Sequence, residues 1–199
     1  MSEPVPLPRE FYARPVLRVA RACIGKLLVH RTKHGTSVGR IVETEAYRGP
    51  ADRAAHSFGG RRTARTEVMF GPPGHAYVFF VYGMHYQFNI VTTREGAPHA
   101  VLVRAVEPLL GIDGMAKRRN LPSASRDLTN GPGKLCQAFA IGKQAYGLDL
   151  CDSELFLADG PRIRTASSAR IGIDYAGDWV QKPWRFYDPK SRYVSRARP

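Results

Sequence analysis

The sequence predicts an α+β fold: one compact domain with a mainly antiparallel sheet and peripheral helices. Three observations carry this. Apolar and β-branched residues crowd two hairpin-like stretches, 26–47 and 75–93, and a further strand follows at 100–108. The helical stretches are short and punctuated by proline and glycine. The 199 residues contain no repeat, low-complexity tract or linker, and one domain of that size buries a core without disulfides. Residues 1–10 are expected to form a flexible, Pro-rich lead-in, and 11–199 the single domain.

The elements follow in order. "PVLRVARACIG", 15–25, reads as a short amphipathic helix with Pro15 in its first turn, Gly25 as its stop, and Leu17, Ala20 and Ile24 facing inward. "KLLVHRTKHGTSVGRIVETEAY", 26–47, reads as two strands around a His34-Gly35 turn. Residues 48–75 are rich in Gly, Pro and Arg, a long irregular segment of the functional kind, with "DRAAHS" as one helical turn. "HAYVFFVYGMHYQFNIVTT", 75–93, reads as two strands joined by a tight turn in Tyr82-Gly83-Met84-His85. After the strand at 100–108, "LLGIDGMAKRRN" reads as a glycine-weakened helix. "GPGKLCQAFAIG", 131–142, reads as a helix opened by Gly and Pro and closed by Gly142. Residues 155–199 hold short strands and a basic tail.

Charge narrows the function. Lys plus Arg is 30 against 17 for Asp plus Glu, a formal net charge of +13. A domain this basic is drawn to polyanions, nucleic acid first. An anionic membrane surface would call for a basic amphipathic helix, and none is visible. Cys23, Cys136 and Cys151 are odd in number and lack C-x-x-C spacing, which suits free thiols in a reducing compartment rather than disulfides or zinc. The opening MSEPVPLPREFY is not a secretory signal, and no stretch has the roughly 20 apolar residues of a membrane span. The expected setting is the cytoplasm, at a bacterial nucleoid, or a nucleus. No metal or cofactor is expected.

Against this charge, "RIVETEAYRGPADRAAHS", 40–57, lines up carboxylates beside an aromatic and a histidine. Strand alternation puts Ile41, Glu43, Glu45 and Tyr47 on one face, and Val42, Thr44 and Ala46 on the other. Successive carboxylates then lie roughly 7 Å apart. A polar strand edge would look the same. The alternative is a general base held beside a flat substrate. A carboxylate repels phosphate but stabilises the oxocarbenium-like state of glycosidic cleavage and accepts a proton from the attacking water. Alternation does not choose between Glu43 and Glu45.

In the aromatic hairpin, Tyr77, Phe79 and Val81 share one face, and Val78, Phe80 and Tyr82 the other. Core packing is the common fate of such strands. A tyrosine at the turn is harder to bury, and Tyr82 with Met84 and His85 is placed to wedge into a base stack. Enzymes acting on a base in duplex DNA need such a wedge, an aromatic slot and cations for phosphates. Arg61, Arg62 and Arg65 could hold phosphates or simply form a solvated loop. Lys134 opens a helix, where phosphates are attracted, although the pattern also marks an ordinary helix start. A Schiff-base role for Lys134 would need desolvation or a cationic neighbour. His56 as a metal ligand lacks Cys/His partners at ligand spacing.

"GRIVETEAYRGPADRAAH", "YVFFVYGMHYQFNIV", "LVRAVEPL", "GPGKLCQAFAI" and "AGDWVQKPWRFY" together resemble the alkyladenine (3-methyladenine) DNA glycosylase family, from about Phe11 to Ser195. The resemblance implies a curved sheet with a β-hairpin protruding into the DNA minor groove. It implies metal-free hydrolytic excision of alkylated and deaminated purines, such as 3-methyladenine and hypoxanthine, leaving an abasic site without a lyase step. By resemblance Glu45 is the general base, and Arg104 helps hold its water near the target phosphate. Tyr47, His56 and Phe79 wall the base pocket, Asn89 rejects the amino group of guanine, and Tyr82 is the intercalating wedge. Met84, His85, Arg61, Arg65 and Lys134 are expected to contact DNA. Phe79 stands where the family often has tyrosine: it can stack, but a hydroxyl contact is lost. The implied partner is double-stranded DNA carrying damaged purines, bound by a monomer, with no membrane involved. Two readings compete. A non-catalytic minor-groove DNA-bending protein would use only the Tyr82 wedge. A carbohydrate hydrolase would use Glu43 and Glu45, but the charge argues against a neutral sugar.

Overall fold

A computed structural model describes residues 3–195 of the chain. The first elements are α1 (Arg9–Tyr12) and α2 (Val16–Cys23). Pro15 is the N-cap of α2 and not part of its first turn, and the stripe packed against the sheet is Val16, Val19, Ala20 and Cys23. Leu17 is left half-buried, and Ile24 is buried just past the helix end, in extended backbone. The described part of the lead-in lies along the sheet: Leu7 is buried, and its N–H donates to Leu157 at 2.7 Å.

The strands are β1 (Leu27–Thr32), β2 (Gly35–Tyr47), β3 (Ala76–Val81), β4 (His85–Thr92) and β5 (His99–Leu110). After helices α3 (Ile112–Arg119) and α4 (Pro132–Phe139) come β6 (Leu155–Ala158), β7 (Ala166–Ser168) and β8 (Arg185–Tyr187). They form one eight-stranded sheet in the order β3-β4-β5-β2-β1-β6. β2 also pairs with β8, which pairs with β7, and every pairing is antiparallel. The long β2 thus serves β1 with its first half and β8 with its second.

Several boundaries differ from expectation. Thr32 pairs with Gly35, so the first hairpin turns at Lys33-His34, one residue early. "DRAAHS" is irregular turns, and 3-10 turns occupy Gly49–Ala51, Phe58–Gly60 and Glu67–Phe70 of the loop. α4 stops at Ala140, in the left-handed region at φ 56, and not at Gly142. The Ile141 N–H closes back on Cys136 at 2.8 Å, and its buried side chain rejoins the core. Residues 196–199 of the basic tail lie outside the described residues.

One face of the sheet carries the main core. There α2 and α4 meet Ile41, Ala46, Val78, Phe88, Ile90, Val101, Val103 and Val106. Thr44 points the same way, its hydroxyl donating to Ala20 at 2.9 Å. The strand alternation read from the sequence fails in β2 at Ile41 and Val42. The β2–β5 register pairs Ile41 with Val106, Glu43 with Ala105 and Thr44 with Val103. Val42 and Arg104 are both passed over: each strand carries an extra residue at the same level. Such bulges bend a strand and re-aim its side chains. Ile41 therefore joins the core, Val42 packs with Ala105 and Tyr193 on the opposite face, and Glu43 stays on that opposite face with Glu45 and Tyr47.

Candidate active site

The opposite face holds the candidate site. Sheet register puts Tyr77 (β3), Asn89 (β4), Leu102 (β5), Glu45 (β2) and Arg185 (β8) on one line across five strands. Glu45 is fully buried. Its Oε2 accepts a hydrogen bond from the Tyr47 hydroxyl at 2.8 Å, and Arg104 Nη1 lies 3.2 Å from the same oxygen. Its Oε1 accepts from the Ile171 backbone N–H at 2.8 Å. Burial first, then the Glu45 charge, pushes the Tyr47 hydroxyl well above its ordinary pKa, so it stays a donor. Arg104 is buried as well, its Nε donating to Glu43 at 2.9 Å.

Loop 48–57 is latched to this face by a second buried pair. Asp52 and Arg170 are bidentate at 2.6 and 2.9 Å, and both side chains are fully buried. Asp52 also accepts the backbone N–H groups of Arg48 and Ala54, each at 3.0 Å. The Arg170 guanidinium stacks over the Tyr47 and Trp184 rings, 4.8 and 5.1 Å from their centroids. Gly49 turns the chain into this loop at φ 63, where a Cβ would strike His99 and the Pro98 carbonyl.

The latch presents His56. Its Nδ1 shares a 2.8 Å hydrogen bond with the Tyr77 hydroxyl, and its ring meets Phe79 edge-on at 4.6 Å. Burial of the ring's inner face, then the Arg65 and Arg61 charges, lowers the His56 pKa to about 4. The group is therefore a neutral imidazole at pH 7. As pH falls, the unfolded chain binds this proton first, so stability falls between about 6.5 and about 4. His56→Gln should lose less thermal stability than wild type between pH 7.5 and 5. His99, also shifted down by burial, keeps part of the slope. An equal loss in both proteins would remove His56 as a source of it.

Asn89 is buried, its amide donating to the Tyr77 carbonyl at 3.2 Å. Arg65 lies over the Phe79 ring at 4.7 Å, beside the aromatic cluster, while Arg61 is exposed. Arg62 is paired with Glu67 and stacked on Phe70. Lys134 donates to Asn130 at 2.8 Å and to Asp127 at 3.0 Å. Tyr82 is 86% exposed at the tip of the β3–β4 hairpin, with Met84 and His85 exposed beside it. Met84 and His85 line a groove of about 350 Å³ against α4.

The structure thus brings Glu45, Tyr47 and Arg104 into contact, and separately His56, Phe79 and Arg65. Lys134 stands apart from both groups. Sequence reasoning missed Asp52, Arg170, Ile171, Arg185 and Ser195. For Arg170 and Arg185 the signal is a charge set among apolar neighbours, in "RIGI" and "PWRFY"; Ile171 and Ser195 carry none.

Comparison with known proteins identifies a family. The family model for methylpurine-DNA glycosylase matches residues 10–192. A relative from Desulfitobacterium hafniense (strain Y51) is 52% identical, with 95% of this chain and 98% of the relative covered. Relatives from Methanocella arvoryzae (48% identical, 97% of each covered) and Clostridium acetobutylicum (44%, covering 94% of this chain and 96% of the relative) are also similar. All three carry a provisional name, 3-methyladenine DNA glycosylase.

Proposed function

The chain belongs to the methylpurine-DNA glycosylase family, and from that premise we propose that it excises alkylated and deaminated purines, 3-methyladenine and hypoxanthine among them, from duplex DNA. One observation carries the reading: in a chain of net charge +13, a fully buried carboxylate, Glu45, sits on a polar sheet face between an arginine and a tyrosine hydroxyl. A carboxylate there disfavours phosphate and suits the positive charge that develops at an anomeric carbon.

In this reading Glu45 takes a proton from water as the water oxygen bonds to C1′. The N-glycosidic bond breaks, and its electron pair leaves with the purine. In 3-methyladenine that pair neutralises a base already cationic in DNA. Tyr47 and Arg104 orient the Glu45 oxygens. Tyr47, His56 and Phe79 wall the slot for the flipped base, with Arg65 over Phe79 at its edge. Asn89, fixed on the Tyr77 carbonyl, is the group that rejects guanine. Lys134 has its ammonium engaged by Asp127 and Asn130, which supports hydrolysis without a lyase step. The purely DNA-bending reading gives Glu45 no task and would be better served without its charge.

The hairpin tip supports the wedge. Tyr82 is highly exposed and in the left-handed region at φ 53, followed by Gly83 at φ 67. A non-glycine residue there costs about 1–2 kcal/mol, and exposing a large ring adds no packing in return. The tight turn itself imposes both φ values, and it leaves the Tyr82 ring exposed and free to meet a partner. Tyr82→Ser should weaken flipping by a few kcal/mol at most, the scale of unstacking a base. The change is read as a lower single-turnover rate at subsaturating protein; unchanged binding and excision would place the wedge elsewhere. The reading as a whole is tested by incubating the protein with methylated duplex DNA and separating the released bases by chromatography. Free 3-methyladenine is expected; intact purines throughout would refute the activity.

A further inference from the structure

Glu43 is fully buried, yet it accepts four hydrogen bonds. Oε1 takes Arg104 Nε at 2.9 Å, Arg185 Nε at 2.6 Å and Ser195 Oγ at 2.7 Å, and Oε2 takes the Ser195 backbone N–H at 2.6 Å. Arg185 Nη2 in turn donates to the Ser195 carbonyl at 2.9 Å, and Arg104 Nη2 reaches Ser195 Oγ at 3.4 Å. Strands β2, β5 and β8 and the segment that carries Ser195 therefore converge on one carboxylate. It sits on one of the two facing bulges, and Arg104 on the other. A buried ion cluster is weak evidence for stability, because apolar residues of the same shape do as well or better. Two bulges that aim Glu43 and Arg104 at each other ask for another account.

We propose that Glu43 is a positioning residue for the general base, fixing the Arg104 guanidinium against Glu45 and balancing its charge, with Ser195 holding Glu43 in place. The proposal rests on the reading of Glu45 as the base. Among the described residues, the groups around Glu45 are Glu43 and Tyr47 on its own strand, Arg104 from β5, Arg185 from β8, and Arg170, paired with Asp52, and Tyr175 from the segment after β7. Glu43, Glu45, Arg104 and Arg185 together carry no net charge. Without Glu43, the remaining three groups carry one excess positive charge. Positive charge nearby favours the ionised form of a carboxylate and weakens it as a base.

The test uses single-turnover excision from a duplex with one hypoxanthine, across pH, beside binding to the same duplex. Glu43→Gln should bind as wild type does, excise about tenfold more slowly, and show its acidic limb displaced to lower pH by about one unit, the scale of one tenfold change in proton affinity. Glu43→Gln combined with Arg185→Gln restores neutrality and should return the limb toward wild type, which a role in folding alone would not do. Ser195→Ala removes one Glu43 donor with little risk to the fold and should slow excision in the same direction. If Glu43→Gln does not fold, the Ser195→Ala rate decides. An unmoved acidic limb in folded Glu43→Gln overturns the proposal, and so does a Ser195→Ala rate within twofold of wild type. Both outcomes leave the glycosylase reading intact. A wild-type protein that releases neither hypoxanthine nor 3-methyladenine removes that reading instead.

Discussion

Glu45→Gln should lower the single-turnover excision rate by about 10²–10⁴-fold, the range a positioned general base supplies, and leave affinity for damaged duplex unchanged or higher. Glutamine has the same shape. Its carbonyl oxygen can still accept from Ile171, but it cannot accept a proton from water. Its amide then meets Tyr47, a donor to the carboxylate in the wild type, and Arg104, its ion-pair partner. Removing a negative charge lessens the repulsion of phosphate. Rate and binding should therefore part company, and fluorescence anisotropy beside the rate measurement checks this. A variant within tenfold of the wild-type rate would take Glu45 out of the mechanism.

Asp52→Ala should destabilise the fold by about 3–5 kcal/mol, the cost of leaving a buried partner charge uncompensated. The Arg170 guanidinium would then keep only the Ala46 carbonyl, at 2.9 Å, and its two aromatic neighbours. The N–H groups of Arg48 and Ala54 would lose their acceptor as well. For a chain of this length the loss corresponds to a melting point lower by about 6–20 °C. Arg170→Met should cost less, because Asp52 keeps both backbone donors. Excision by Asp52→Ala should also fall below wild type at temperatures where it stays folded, since the latch holds the His56 loop and the Ile171 donor. Scanning calorimetry of the two variants reads the difference. A loss for Asp52→Ala below about 1 kcal/mol, the size of an exposed pair, would contradict the buried latch.

Hairpins were legible because alternation and turn residues are local properties. The β3 split into a Val78 face and a Tyr77–Phe79 face holds in the structure. Alternation assumes an unbroken period of two, and the facing bulges break it without glycine or proline to mark them. That is why Ile41 was placed with the glutamates when it belongs to the core. The α2 stripe slipped because apolar residues lie on adjacent stripes, 16/19/20/23 and 17/20/24, and only packing against the sheet chooses between them. Glu45 and Tyr47 could be read together, as neighbours at i and i+2. Preferring Glu45 over Glu43 took the family resemblance. The geometry adds a physical reason: the four Glu43 hydrogen bonds all come from Arg104, Arg185 and Ser195, whereas Glu45 lies on the line that leads through Leu102 to Asn89 and Tyr77. Arg170 and Ser195 reach their carboxylates across 118 and 152 residues, and no local pattern encodes such a contact.

The most direct measurement of the central claim is strand breakage of a duplex oligonucleotide carrying one hypoxanthine, with and without alkali, for wild type and Glu45→Gln. The account predicts breaks at that position that need alkali and vanish in the variant. Breaks without alkali would contradict the hydrolytic step and return attention to Lys134. Alkali-dependent breaks undiminished in Glu45→Gln would contradict the role of the buried carboxylate.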